Sequence, residues 1–226
     1  MNYVFPPAPQ AVLPVAGSES GFPVRRVYCV GQNYADHALE MGSDGRQPPF
    51  FFSKPADALV PGGEVAYPPR TENLQHEVEL VIALGKGGAN IAVDQALDCV
   101  FGYGLGLDLT RRDLQATAKE KKQPWEMGKG FDQSAPITAI YPVAQVGHPA
   151  AGAIWLKVNG TFKQQGDLKQ MTWKVAEIIA NLSSYVRLAP GDLIFSGTPS
   201  GVGTIVRGDV IESGIEGLGE LKIRLV

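Results

Sequence analysis

The run His76-Glu77-Val78-Glu79-Leu80-Val81-Ile82-Ala83-Leu84-Gly85 predicts a β-strand closed by a glycine. Successive strand side chains point to opposite faces. Val78, Leu80, Ile82 and Leu84 therefore share one face, and Glu77, Glu79, Val81 and Ala83 share the other. Two glutamates one strand repeat apart have Cα atoms about 6.5–7 Å apart. Two readings fit that pair. The glutamates lie on the solvated side of a two-faced strand, or they are half-buried and need a positive partner, of which a divalent cation held by oxygen ligands is the simplest.

The rest of the chain is consistent with a folded domain carrying a small-molecule site. Its 226 residues are 44% hydrophobic and 19% charged, with a formal net charge of −3. That suffices for a sizeable core and gives no electrostatic argument for nucleic acid or an anionic membrane surface. No apolar run is long enough to span a bilayer. Met1 to Gln10 lacks the basic and apolar regions of a signal peptide. Cys29 and Cys99 sit in apolar runs and read as reduced core residues. A cytoplasmic location is the expectation.

The 27 glycines and 17 prolines imply many turns and few long helices. Strands are expected at 24–30, 49–53, 77–84, 100–107, 154–158, 192–195, 209–212 and 220–226, and helices at 34–41, 93–96, 111–121 and 172–184. In the last helix Val175, Ile178, Ile179 and Leu182 form one apolar stripe. This order is α+β and mainly β. Residues 1–23, rich in proline, glycine and serine, read as an irregular arm before a single domain at 24–226.

Several constellations carry chemical potential. Phe101-Gly102-Tyr103-Gly104-Leu105-Gly106-Leu107-Asp108 is a strand with one bare glycine face ending in a carboxylate. Such a face receives either a ligand or a tightly packed segment. Thr110-Arg111-Arg112-Asp113 resembles a capping box opening a helix on which Arg112 and Gln115 share a face. In the expected helix at 34–41, with Asn33 as its cap, His37 and Glu40 are three apart and can touch. That pairing suits either a surface ion pair or a general base held by a carboxylate. Lys129 lies between Gly128 and Gly130, and Thr198 lies in a Gly/Pro loop after an apolar strand. Three histidines and no C-x-x-C argue against a zinc site, and no G-x-S-x-G elbow is present.

Taken in order, Asn33-Tyr34-Ala35-Asp36-His37, Phe52-Ser53-Lys54-Pro55, His76-Glu77-Val78-Glu79-Leu80, Gly106-Leu107-Asp108-Leu109-Thr110-Arg111-Arg112-Asp113, Lys129-Gly130-Phe131-Asp132 and Ser196-Gly197-Thr198-Pro199-Ser200-Gly201-Val202-Gly203 resemble the fumarylacetoacetate hydrolase family. The resemblance runs from about residue 24 to the C-terminus. It implies a mainly β roll with a few helices, found as a homodimer. It implies that Glu77, Glu79 and Asp108 bind Mg²⁺ or Mn²⁺, and that His37 and Glu40 activate water from a closing segment. It implies that Lys129 stabilises developing negative charge while Arg112, Gln115 and Thr198 bind substrate. The implied reaction is hydrolysis of a C–C bond in a 2,4-diketo acid, foremost fumarylpyruvate to fumarate and pyruvate in aromatic-compound catabolism. Oxaloacetate decarboxylation, or isomerisation of a related oxo-acid, would reuse the same metal. A metal-binding domain without catalysis would need the carboxylates but not His37 and Glu40.

Overall fold

The computed structural model describes residues 2–35 and 47–226. Two mixed sheets dominate it, with few helices, as expected of a mainly β α+β chain. The first has six strands in the order Tyr141–Pro142, Val100–Leu107, Val78–Leu84, Asp192–Phe195, Arg26–Gly31 and Phe50–Lys54. The second has five, in the order Thr161–Asp167, Ala153–Val158, Val210–Ile215, Glu220–Leu225 and Gly63–Val65.

All seven residues of Val78–Leu84 are buried, so neither face of this strand is solvated. Its two faces supply two separate cores. Val78, Leu80, Ile82 and Leu84 pack with Ile154, Leu156, Ile211 and Ile223 of the second sheet and with Ile178, Ile179 and Leu182 of the Val175–Tyr185 helix. Val81 and Ala83 pack on the other side with Val27, Ile137, Ile140, Leu193 and Phe195. Full burial of each large aliphatic side chain contributes about 1.5–3 kcal/mol. That packing offsets the cost of carrying carboxylates at the end of an interior strand.

The glycine face of Val100–Leu107 receives packed protein. A Cβ on Gly102 would lie 2.4 Å from the Tyr141 carbonyl oxygen, and one on Gly106 would lie 2.5 Å from the Phe195 ring. The adjacent Tyr141–Pro142 strand pairs at Tyr103 and Gly102, which leaves no room for side chains there.

Differences from expectation are local. Residues 1–23 are not irregular throughout, since Val12–Pro14 pairs antiparallel with Gly21–Pro23. Leu13, Val15 and Phe22 enter the second core, and their short alternation is masked in sequence by the surrounding prolines. Thr161–Asp167 is a strand that its polar composition hides. Asn159 and Gly160, with φ of 51° and 78°, form the hairpin turn that leads into it. The helix expected at 93–96 is a 3₁₀ segment, Val93–Cys99. Of the other two, Arg112–Glu120 is trimmed at both ends, and Val175–Tyr185 starts later and ends one residue beyond the expected helix. The helix expected at 34–41 falls, from residue 36 on, outside the described residues.

Gly102→Ala places a methyl group against a backbone carbonyl. It is expected to cost about 1–3 kcal/mol of stability, read as a lower urea midpoint. An unchanged midpoint would contradict the packing role of the glycine face.

Candidate metal centre and substrate cleft

Antiparallel pairing of Val78–Leu84 with Val100–Leu107 sets Glu79 opposite Gly106. One step further the Asp108 N–H donates to the Glu77 carbonyl at 2.9 Å. This register brings Glu77, Glu79 and Asp108 together with ligand-capable oxygens within 4.8 Å of one another, and all three residues are buried. The solvated-face reading of the glutamates is therefore excluded.

Three cations face these three carboxylates. Lys129 Nζ donates to Glu77 Oε2 at 2.8 Å, Asp108 Oδ2 at 2.6 Å and Thr110 Oγ1 at 2.7 Å, so its protons are fully engaged. Lys54 Nζ lies 2.9 Å from Asp108 Oδ1 and donates to the carbonyls of Leu109 and Lys129. Its approach to Asp108 Oδ1 is an ion pair without hydrogen-bond geometry. Arg112 Nη2 pairs with Glu77 Oε1, while its Nε donates to Gln75 Oε1 and its Nη1 to Gln115 Oε1, both at 2.7 Å.

Glu79 is different. Its carboxylate accepts the Gly197 N–H at 2.8 Å and contacts no cation among the described residues. Burial, and then the Asp108 and Glu77 charges, push the Glu79 carboxyl well above the usual carboxylate range, against the opposing influence of Lys129 and the Gly197 N–H. Burial alone would lower Lys129, but Asp108 and Glu77 outweigh it and hold the ammonium above the usual lysine range. An all-oxygen donor set with a buried carboxylate that lacks a cation fits a hard divalent ion.

Two further devices shape the site. Asn33 joins three segments, while the helix it was expected to cap lies, from residue 36 on, outside the described residues. Its Nδ2 donates to the Ser196 and Trp173 carbonyls at 2.8 and 2.9 Å, and its Oδ1 accepts the Trp173 N–H at 2.7 Å. Gly197, at φ 96°, packs so closely on Asn33 that a Cβ would lie 2.7 Å from the Asn33 Cβ. Gln164 fixes the other side. Its Oε1 meets His76 Nδ1 at 2.9 Å and the Val78 N–H at 3.2 Å, and its Nε2 donates to Thr198 Oγ1 and the Pro199 carbonyl, both at 2.8 Å. His76 Nδ1 therefore carries a proton, and burial lowers its pKa.

Of the residues singled out in the sequence, Glu77, Glu79, Arg112, Gln115, Lys129 and Thr198 line one cleft, with Asp108 beside it. The Thr198 hydroxyl is engaged, donating to the Val78 carbonyl at 2.8 Å while accepting from Gln164. Thr110 is not a cap. Arg111 occupies that position, and the Thr110 hydroxyl donates to the Asp108 carbonyl at 3.1 Å. His37 and Glu40 lie outside the described residues. Lys54 and Gln164 were given no role in the sequence. Lys54 ends an aromatic strand, two residues from Phe52 and so on the same face. The signal for Gln164 was the Asn159-Gly160 turn that sets its strand's register.

A model of the fumarylacetoacetate (FAA) hydrolase C-terminal family matches residues 26–226. Fumarylpyruvate hydrolase of Ralstonia sp is 47% identical over 175 residues, covering 77% of this chain and 91% of that protein. The mitochondrial oxaloacetate tautomerase of Mus musculus is 43% identical over 202 residues, covering 89% and 91%. The crystal structure of fumarylpyruvate hydrolase from Pseudomonas aeruginosa, in complex with Mn²⁺ and pyruvate, superposes with a TM-score of 0.98 at 53% identity, covering 100% of this chain and 99% of that one.

Glu79→Gln removes a buried carboxylate that has no cation in contact among the described residues. The metal-free variant is expected to melt at or above the wild-type Tm and to lose the rise in Tm that Mn²⁺ produces in the wild type. A variant that Mn²⁺ still stabilises to the wild-type extent would remove Glu79 from the metal site.

Proposed function

The chain belongs to the fumarylacetoacetate hydrolase family, and from that premise we propose that it hydrolyses a C–C bond of a 2,4-diketo acid, foremost fumarylpyruvate to fumarate and pyruvate. The observation that carries this reading is the buried Glu77/Glu79/Asp108 triad, opening on a cleft lined by Lys129, Arg112 and Gln115. The 53% identical relative crystallised with Mn²⁺ and pyruvate supports it.

Glu77, Glu79 and Asp108 would hold Mg²⁺ or Mn²⁺, which supplies Lewis-acid polarisation of the oxo-acid and a template for its orientation. Arg112 and Gln115, bonded to each other, would orient the substrate from the helix side. The loop at Thr198 would face the pyruvate end. His37, held by Glu40, would take a proton from the water that attacks the distal carbonyl. Cleavage of the C–C bond leaves fumarate and the enolate of pyruvate. Lys129 would stabilise that negative charge, and protonation of the enolate at carbon completes pyruvate. Water supplies the hydroxyl of the new carboxyl group and the proton, so no covalent enzyme intermediate is required. Function as a cytoplasmic homodimer in aromatic-compound catabolism belongs to the same proposal.

A second reading, turnover of oxaloacetate, is favoured by the 43% identity to an oxaloacetate tautomerase. Measuring kcat/KM for fumarylpyruvate, acetylpyruvate and oxaloacetate side by side, with Mg²⁺ and with Mn²⁺, separates the two. The acylpyruvates are expected to lead. A much higher value for oxaloacetate would put the second reading first. His37→Ala is expected to lose roughly 10²- to 10⁴-fold in hydrolysis while still binding oxalate, and normal hydrolysis by this variant would refute the base assignment.

A further inference from the structure

We propose that Lys119 and Trp125 form a subsite for the distal carboxylate of the substrate, so that the cleft selects oxo-acids charged at both ends over those with a neutral tail. This inference rests on the oxo-acid reading above and deepens it.

Lys119 lines the same cleft as Glu77, Glu79, Arg112 and Gln115, yet the other cations there are committed. Lys129 and Arg112 pair with Glu77, and Lys54, beside the cleft, pairs with Asp108. Among the described residues no carboxylate pairs with Lys119. Its ammonium lies instead over the Trp125 ring, 5.0 Å from the centroid. A half-buried ammonium held over an aromatic face keeps its proton-donating side free for an anion. Burial, and then the Arg112 charge, lower its pKa against the opposing charge of Glu77, and a carboxylate placed beside it would offset that cost of burial.

The placement suits a chain-like substrate anchored at the triad. Arg112, Gln115 and Lys119 are spaced three and four apart on the Arg112–Glu120 helix and share one face. At about 1.5 Å per residue, Lys119 stands about 6 Å beyond Gln115 along the axis. With carbon–carbon bonds of about 1.5 Å, an extended seven-carbon diketo acid spans roughly 7–8 Å between its end carbons, which is the same scale. The intervening wall is aromatic. Trp125 meets Phe50 edge-on at 5.3 Å between centroids and Phe52 at 5.9 Å, and all three line the cleft. An unsaturated tail would run along that wall and end at the ammonium.

The test uses two seven-carbon ligands that cannot undergo the cleavage, 2-oxoheptanedioate and 2-oxoheptanoate. Their affinities for Mn²⁺-loaded protein are measured by calorimetry. Wild type is expected to prefer the dianion by about tenfold or more, the scale of a partly buried charge pair. Lys119→Met should abolish that preference and leave 2-oxoheptanoate affinity within about twofold, while Lys119→Arg should keep it. Kinetically, Lys119→Met should raise KM for fumarylpyruvate with little change for acetylpyruvate. No preference in wild type, a preference that survives in Lys119→Met, or equal losses on both ligands overturns the subsite. If the dianion preference holds and depends on Lys119 but neither acylpyruvate is cleaved, the hydrolase reading fails and the subsite stands.

Discussion

Three carboxylates packed within 4.8 Å in the interior set the terms for the surrounding structure. Like charges at that separation repel, and removing each from water costs several kcal/mol even after relaxation. The fold answers with Lys54, Lys129 and Arg112, each delivered by a different element. These are the edge strand Phe50–Lys54, the short helix Glu126–Lys129 and the first turn of Arg112–Glu120. The two-sided core around Val78–Leu84 supplies the rigidity that keeps the carboxylates close. A strand with one solvated face could let its glutamates swing into water, and this one cannot.

The same demand explains the second layer of polar residues. Gln164 uses both ends of its carboxamide, and Asn33 does likewise on the opposite side of the Ser196–Pro199 segment. Buried amides satisfied in this way contribute orientation more than stability. They hold Gly197 where its N–H meets Glu79 and hold Thr198 at the cleft wall.

Much of this was legible in the sequence, and what was not has physical causes. The strand at 78–84, the apolar stripe of Val175, Ile178, Ile179 and Leu182, and the Glu77/Glu79/Asp108 grouping follow from periodicity, from residue chemistry and from resemblance to a family. The alternating glycines were correctly seen as a close approach, but only the structure shows that Tyr141 and Phe195 make it. Lys54 was hidden because its carboxylate partner, Asp108, lies 54 positions away. Gln164 was hidden because polar edge strands lack an apolar pattern. The hairpin near residues 12–23 was hidden because prolines obscure a three-residue alternation. Each miss depends on a contact distant in sequence, which local patterns do not encode.

Three cations stand beside three carboxylates, pairing with Glu77 and Asp108 while Glu79 touches no cation among the described residues, and this bears on the order of events in the life of the chain. A metal site built from acidic groups alone is held apart by its own charge until the ion arrives, so folding waits for the ion. Here the fixed charges already cancel, and the scaffold can close around its own lysines and arginine. On the proposed reading, metal uptake would then be a reversible equilibrium of a finished protein instead of a step in making it. An added dication would leave the pocket with an excess of positive charge. On the proposed reading an anionic oxo-acid would neutralise that excess on arrival, and product release would restore it.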